Sequence, residues 1–349
     1  MSTARAGVRS AVSRFSFPVP AKAYPVLAAL SAGVLAMGVA APAVAAVPAP
    51  AVQAPRCTVE TGRTTLTILS GGLQRTAIVY IPENVRRYKR LPAVFDLHGS
   101  ASWPAEELSR SGLEQTADRY GFVVVALQGA IPVGAGYAWN VPYVTTVPGA
   151  PDDEAFLNDL IDTLVGTGCV NARRVYAAGY SGGGRMISQF ACDNPERFAA
   201  TALVAGLRAG APLGTAGGWV PDPSTCAPAS PVPVVAFAGT ADPVNPFTGG
   251  GAPYWGYSVP AALQRWAELN RCKRGPLTEQ VTEHVSLVAY AACHANADTQ
   301  LYVVEGGGHT WPGADATDFP PALGTVTQEI SANQIMWNFF RNRVATGRL

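Results

Sequence analysis

Val175-Tyr176-Ala177-Ala178-Gly179-Tyr180-Ser181-Gly182-Gly183-Gly184-Arg185 decides how this chain is read. A short apolar run, a strand signal, leads into G-x-S-x-G, and Arg185–Ala191 follows with a helical pattern. A strand that turns directly into a helix leaves no room for side chains beside the turning residue, so glycines flank it. Ser181 is thereby held at the tip, at the N-terminus of the next helix. In a chain with 36 glycines a bare G-x-S-x-G means little. The strand before it and the helix after it turn the motif into a nucleophile elbow.

Moving outward, apolar runs alternate with helical segments from Thr64 onward. Arg75–Ile81, Pro92–Leu97, Phe122–Leu127, Val175–Gly179, Thr201–Ala205, Val232–Ala238, Val285–Tyr290 and Gln300–Glu305 read as strands. Leu113–Tyr120, Glu154–Leu164, Arg185–Ala191, Val259–Asn270 and a closing Val326–Phe340 read as helices. Asp152 and Asp153 suit the N-cap and first turn of the second of these. Continuous apolar strands alternating with helices imply α/β architecture, a mostly parallel central sheet with helices on both faces: the α/β-hydrolase fold. The Gly- and Pro-rich stretches Gly210–Pro233 and Gly249–Tyr257 read as long surface loops.

A serine hydroxyl needs a neighbouring base to become a nucleophile. The chain has four histidines, His98, His284, His294 and His309. In the hydrolase fold the partners follow the serine in the order acid, then histidine. That order excludes His98 as the base. His284 and His294 have no loop signal that would aim them at the elbow. His309 follows the strand Gln300–Glu305 and Gly306-Gly307-Gly308, a context suited to a mobile histidine. Asp193, Asp222, Asp242 and Asp298 lie between Ser181 and His309. Asp242 closes the apolar strand Val234–Ala238 after a Gly-containing turn, on the same sheet edge as Ser181, where it can orient the imidazole. The oxyanion donors are expected to be the backbone N–H of Gly182 and that of Ser100, in the loop Leu97-His98-Gly99-Ser100. His98 reads as support for that loop. Trp139, Trp255 and Trp311 are candidate substrate contacts, with plain packing as the competing reading.

The 349 residues are 48% hydrophobic and 14% charged, with a net charge of +1. That suits a large globular core and offers no basic footprint for nucleic acid. Arg5, Arg9, Arg14 and Lys22, the apolar Tyr24–Ala40 and the small residues Ala41–Ala46 read as a signal peptide over 1–46, cleaved after Ala45 or Ala46. An uncleaved membrane anchor is the alternative. Residues 47–56 read as a flexible leader and 57–349 as a single catalytic domain. All six cysteines follow the cleavage site, which predicts disulfides in an oxidising, extracellular compartment. Their pairing is open among 15 arrangements. No C-x-x-C pair or Cys/His cluster suggests a metal, no cofactor is implied, and no stable membrane association is expected after processing.

Together these motifs resemble the secreted polyhydroxybutyrate depolymerase-like and feruloyl esterase-like serine esterases, over nearly all of the mature chain. The resemblance rests on Leu97-His98-Gly99, Trp139-Asn140, Asp152-Asp153, the run from Arg174 through Gly183, Ala238–Pro243 and Gly306–Gly313. It implies the triad Ser181, Asp242 and His309. It implies bridges Cys192–Cys226 and Cys272–Cys293, which leaves Cys57–Cys169. It also implies substrates that are hydroxyalkanoate, feruloyl or acetyl esters, small or oligomeric. Two departures bear on substrate: Ser100-Ala101-Ser102, where many relatives are Cys- or Gly-rich, and Arg185, where many carry a small or apolar residue. The alternatives to a secreted serine carboxylesterase are a secreted serine peptidase with the same triad and a non-catalytic hydrolase-fold binding protein.

Overall fold

Residues whose side chains are buried on both faces of a strand mark the middle of this structure. A computed structural model describes residues 57–85 and 90–345. The signal-peptide and leader segments, 1–56, lie outside the described residues. The strands are β1 Gly62–Ser70, β2 Leu73–Ile81, β3 Leu91–Leu97, β4 Val123–Leu127, β5 Ile131–Val133, β6 Gly136–Ala138 and β7 Val170–Tyr180. They continue with β8 Ala200–Val204, β9 Pro212–Thr215, β10 Gly218–Pro221, β11 Val234–Gly239, β12 Arg274–Gln280, β13 Val285–Ala291 and β14 Thr299–Val304. The α-helices are α1 Pro104–Ser111, α2 Leu113–Tyr120, α3 Asp153–Gly166, α4 Gly182–Asp193, α5 Val259–Leu269 and α6 Ala332–Phe340.

Ten strands form one sheet in the order β1-β2-β4-β3-β7-β8-β11-β14-β13-β12. The six from β4 to β14 pair in parallel, and an antiparallel pair of strands extends the sheet at each end. Every residue of β4, β8 and β11 is buried, as a sheet covered on both faces requires. Phe95 and Leu97 point to one face, where they pack with Phe156 and Leu160 of α3, Phe190 of α4 and Trp266 of α5. Val94 and Val124 point to the other, with Leu108 of α1, Leu113 of α2, and Trp337 and Phe340 of α6. The α/β-hydrolase architecture read from the sequence is the one observed.

Local chemistry explains the element ends. Asp152 caps α3, its side chain accepting from the N–H groups of Glu154 and Ala155. Asp153, in the first turn, is fully buried and pairs with Arg75 at 2.5 Å. The closing helix is shorter than Val326–Phe340. Ser331 caps it by accepting from Gln334 N–H, so α6 begins at Ala332. Val326–Ile330 is irregular, and Thr327 O instead accepts from Gly313 N–H. The Gly210–Pro233 stretch is not wholly loop, since β9 and β10 form a small hairpin within it.

Cys57 pairs with Cys169, Cys192 with Cys226 and Cys272 with Cys293, which uses all six cysteines. The first bridge spans 112 residues and ties the start of the described domain to the turn before β7. Loop-closure entropy then ranks the bridges. Replacing both members of Cys57–Cys169 by serine should cost up to about 5 kcal/mol, against about 3 for Cys272–Cys293. Denaturant unfolding of the two double variants measures this. Equal losses, or alkylation of any cysteine in the unreduced protein, would count against this framework.

Candidate active site

The elbow is built from backbone-on-backbone contact. β7 ends at Tyr180, Ser181 takes φ 51° and ψ −110°, and α4 begins at Gly182. A positive φ is strained for any residue but glycine. The turn is held by Ser181 N–H donating to Val204 O at 2.9 Å, and by Arg185 N–H donating to Ser181 O at 3.0 Å. A β-carbon at Gly183 would lie 2.0 Å from Leu97 O, and one at Gly179 2.7 Å from the Gly183 carbonyl carbon. Neither position tolerates a side chain, which is the physical content of the motif.

The neighbouring parallel strands bring the acid and the histidine to the same edge. Gly239, the last residue of β11, pairs with Val304, the last of β14. The turn after β11 carries Asp242, and the chain after β14 carries His309. His309 Nδ1 lies 2.7 Å from Asp242 Oδ2, and both side chains are buried. The other carboxylate oxygen accepts from the N–H groups of Val244, at 2.8 Å, and Asn245, at 2.7 Å. With Nδ1 donating to the carboxylate, Nε2 is the nitrogen left to act as base. His309 is clamped rather than mobile. Its N–H donates to Leu323 O at 2.7 Å, its carbonyl accepts from Tyr180 O–H at 2.6 Å, and its ring lies 5.1 Å from that of Tyr180. The glycines before it serve close packing, since a β-carbon at Gly308 would lie 2.1 Å from Leu323 O. Asp242 and His309 are thus joined. Ser181 follows Tyr180 directly but makes no hydrogen bond to His309 among the described residues, a contact that in resting sites often forms only with substrate.

The loop after β3 completes the arrangement. A β-carbon on Gly182 would sit 3.0 Å from Ser100 N and 2.5 Å from Ser100 Oγ, so the two backbones are adjacent. The N–H groups of Ser100 and Gly182 have no acceptor among the described residues, whereas Ala101 N–H donates to Tyr137 O at 2.9 Å and Ser181 N–H to Val204 O at 2.9 Å. His98 supports this loop. Its Nε2 accepts from Gly129 N–H at 3.0 Å, so Nδ1 carries the proton and donates to Gly99 O at 2.7 Å. Trp139 Nε1 donates to His98 O at 2.8 Å. Underneath, Glu107 is fully buried, pairs with Arg110 at 3.0 Å and reaches Gly99 N–H at 3.4 Å. Burial pushes Glu107 up to about 7.

A groove of about 270 Å³ opens beside Ser100 and Gly182, walled mainly by Ile131, Val133, Trp139, Val141, Tyr254 and Arg185. Trp139 borders this groove. Trp255 and Trp311 do not line it. Both are 1% exposed, with their N–H groups committed to Pro246 O and Asn333 Oδ1, so packing is the better account of each. Tyr254 and the β5–β6 hairpin went unread in the sequence. Only an aromatic in a Gly-rich loop pointed to the first.

Burial also holds His98 neutral, lowering it from 6.5 to about 4. The unfolded chain then binds a proton that the folded chain refuses between those two values. His98's contribution to stability is complete above 6.5 and is lost as the pH falls through 4. Over that window it amounts to up to about 3 kcal/mol. Urea unfolding across the window should show a shallower fall for His98→Gln than for the unsubstituted enzyme. Identical slopes would rule the effect out.

Residues 76–218 match the sequence model of the family described as esterase PHB depolymerase. A putative esterase, NocK, of Nocardia uniformis subsp. tsuyamanensis is 32% identical over 262 residues, covering 69% of this chain and 71% of the relative. Feruloyl esterase B of Piromyces equi is 29% identical over 242 residues, 67% of this chain and 42% of that one. Among solved structures, acetyl xylan esterase from Aspergillus awamori superposes with a TM-score of 0.51 at 16% identity, over 71% of this chain and 94% of that one, a likeness of fold. The chain belongs to the PHB depolymerase family of esterases and is a carboxylic ester hydrolase.

Proposed function

We propose that this enzyme is a secreted serine carboxylesterase in which Ser181 is the nucleophile, His309 the base and Asp242 its orienting acid. The observation that carries the reading is the buried Asp242–His309 hydrogen bond at 2.7 Å, on the sheet edge where Ser181 turns into α4. The ester carbonyl oxygen sits between the N–H groups of Ser100 and Gly182. His309 Nε2 takes the Ser181 proton as Oγ attacks the carbonyl carbon. The negative charge that develops on the carbonyl oxygen meets two donors already in place, each worth roughly 3 kcal/mol in such sites. Collapse breaks the ester C–O bond, and His309 passes the proton to the leaving alcohol. Water, deprotonated by the same histidine, then hydrolyses the acyl-enzyme and releases the acid. Asp242 holds the ring in place throughout and stabilises the imidazolium.

The relatives favour hydroxyalkanoate, feruloyl or acetyl esters as the substrate class, and the mostly apolar groove suits a short acyl or aryl group. Three disulfides favour an oxidising compartment. Among the described residues no helix is long and apolar enough to cross a membrane. In this reading residues 1–46 are removed on export and 57–349 form the catalytic domain.

Ser181→Ala and His309→Ala should each lower kcat on an aryl butyrate by roughly 10³-fold or more while leaving the thermal unfolding transition in place. A fluorophosphonate probe should label the unsubstituted enzyme once and Ser181→Ala not at all. Label retained by Ser181→Ala, or near-normal turnover by either variant, would refute the assignment. The mass of the exported protein should place its first residue at Ala46 or Val47.

A further inference from the structure

Arg185 sits in the first turn of α4, four residues beyond Ser181. It is 5% exposed, yet it borders the groove. Its Nη2 donates to Ser100 Oγ at 3.3 Å, and the same atom would lie 3.5 Å from a β-carbon on Gly182. The guanidinium therefore lies against the two residues whose N–H groups are the proposed oxyanion donors. Its plane lies over the Tyr254 ring at 4.2 Å. Nε is buried without an acceptor, and Nη1 has none among the described residues. No carboxylate forms an ion pair with Arg185 among the described residues. Burial lowers its pKa, and the Tyr254 hydroxyl opposes that.

A second guanidinium lies close enough to be felt. Arg208 is fully buried between Trp255, at 3.6 Å, and Tyr257, at 4.0 Å. Its Nε and Nη1 donate to Leu207 O and Tyr257 O, but Nη2 has no acceptor. Burial, reinforced by Arg185, pushes it down to about 10. Two buried cations without a counter-ion are costly, and stacking on aromatic rings does not replace a missing anion. One of them lines the groove beside the reacting carbonyl.

We propose that Arg185 selects the substrate: the ester cleaved here carries a carboxylate close to the scissile bond, and that carboxylate binds Arg185 in the groove. This rests on Ser181 as the nucleophile, because it places the carboxylate relative to the Ser100 and Gly182 donors. The class includes half-esters of dicarboxylic acids and the acid-ended terminal unit of an oligoester. Ser100 links the two functions, since its hydroxyl accepts from Arg185 while its N–H faces the oxyanion.

Two ester pairs, followed by pH-stat, test the proposal. Monoethyl glutarate against ethyl pentanoate puts the charge on the acyl side. 3-Butanoyloxybutanoate against 3-butanoyloxybutanamide puts it on the alcohol side. The enzyme should prefer at least one acid over its neutral partner by roughly tenfold in kcat/KM, mostly through KM. Arg185→Met should bring that ratio close to one, and Arg185→Lys should retain part of it. Free glutarate should inhibit the unsubstituted enzyme competitively where pentanamide does not, a measurement that needs no variant. If neither acid is preferred, or if Arg185→Met lowers acid and neutral esters by the same factor, Arg185 is only a structural support and the proposal falls. The probe result with Ser181→Ala is independent. Turnover surviving there would overturn the nucleophile, whereas a silent Ser181→Ala with no charge preference would overturn Arg185 alone.

Discussion

The first turn of α4 rests directly on the end of β3, with the Gly183 backbone against the Leu97 carbonyl, where a β-carbon would come within 2.0 Å. Everything else in the site depends on that approach. It forces the chain to turn within one residue, which puts Ser181 at positive φ, a strain of about 1–3 kcal/mol. The same approach sets Gly182 beside Ser100, so two free N–H groups converge without any side chain being assigned to the task. The helix dipole adds its positive end at the same point. A single methyl group at Gly183 would separate β3 from α4 and dissolve the converging donors while leaving most of the core untouched.

The opposite side of the site uses the same device. Gly239 and Gly307 are packed so closely that a β-carbon on the first would lie 2.1 Å from the second's carbonyl oxygen, and Gly308 packs as tightly against Leu323. These contacts bring the ends of β11 and β14 together and bury His309 with a fixed backbone. The two halves share a support. Arg110 pairs with Glu107, which reaches the Gly99 N–H, and its guanidinium lies 5.2 Å from the centre of the Tyr180 ring, whose hydroxyl holds the His309 carbonyl. One buried ionic cluster therefore supports the loop after β3 directly and the histidine through Tyr180. Such a cluster contributes little net stability, and its value here lies in fixing positions.

Some of this was legible in the residues and some was not. Gly179, Gly183 and the strand before them could be read because tight turns require glycine whatever the tertiary context. Asp242 and His309 were singled out by chain order together with their places after the ends of apolar strands. β12 escaped because Arg274–Gln280 is an edge strand, wholly exposed, with Gly275 and Pro276 inside it, so neither alternation nor apolarity marked it. α1 escaped because Trp103 provides no side-chain cap and the helix is short. The start of α6 was misplaced because Val326–Ile330 carries no Gly or Pro to break the pattern, while the true signal was the Ser331 cap. Trp255 and Trp311 show the deeper limit. A tryptophan near a motif in sequence says nothing about which way its ring faces.

Arg185 lies between those cases. The family resemblance marked this position as a departure, but its lack of a counter-ion was not legible in the sequence. Four arginines are buried among the described residues. Arg75 faces Asp153 at 2.5 Å and Arg110 faces Glu107 at 3.0 Å, so this fold does pair its buried guanidinium groups where it can. Arg185 and Arg208 break that habit, and Arg185 does so beside Ser100 and Gly182, the proposed oxyanion donors. The positive field there favours an anion at two moments, when a charged substrate docks and when the carbonyl oxygen becomes an oxyanion. These demands compete, because a docked carboxylate screens the guanidinium that would otherwise stabilise the oxyanion. Two nearby cations ease the conflict. In the proposed complex a carboxylate on Arg185 leaves Arg208 without a counter-ion, so part of the positive charge near the groove survives into the transition state. That is a physical reason for the second cation, which makes no contact with the groove.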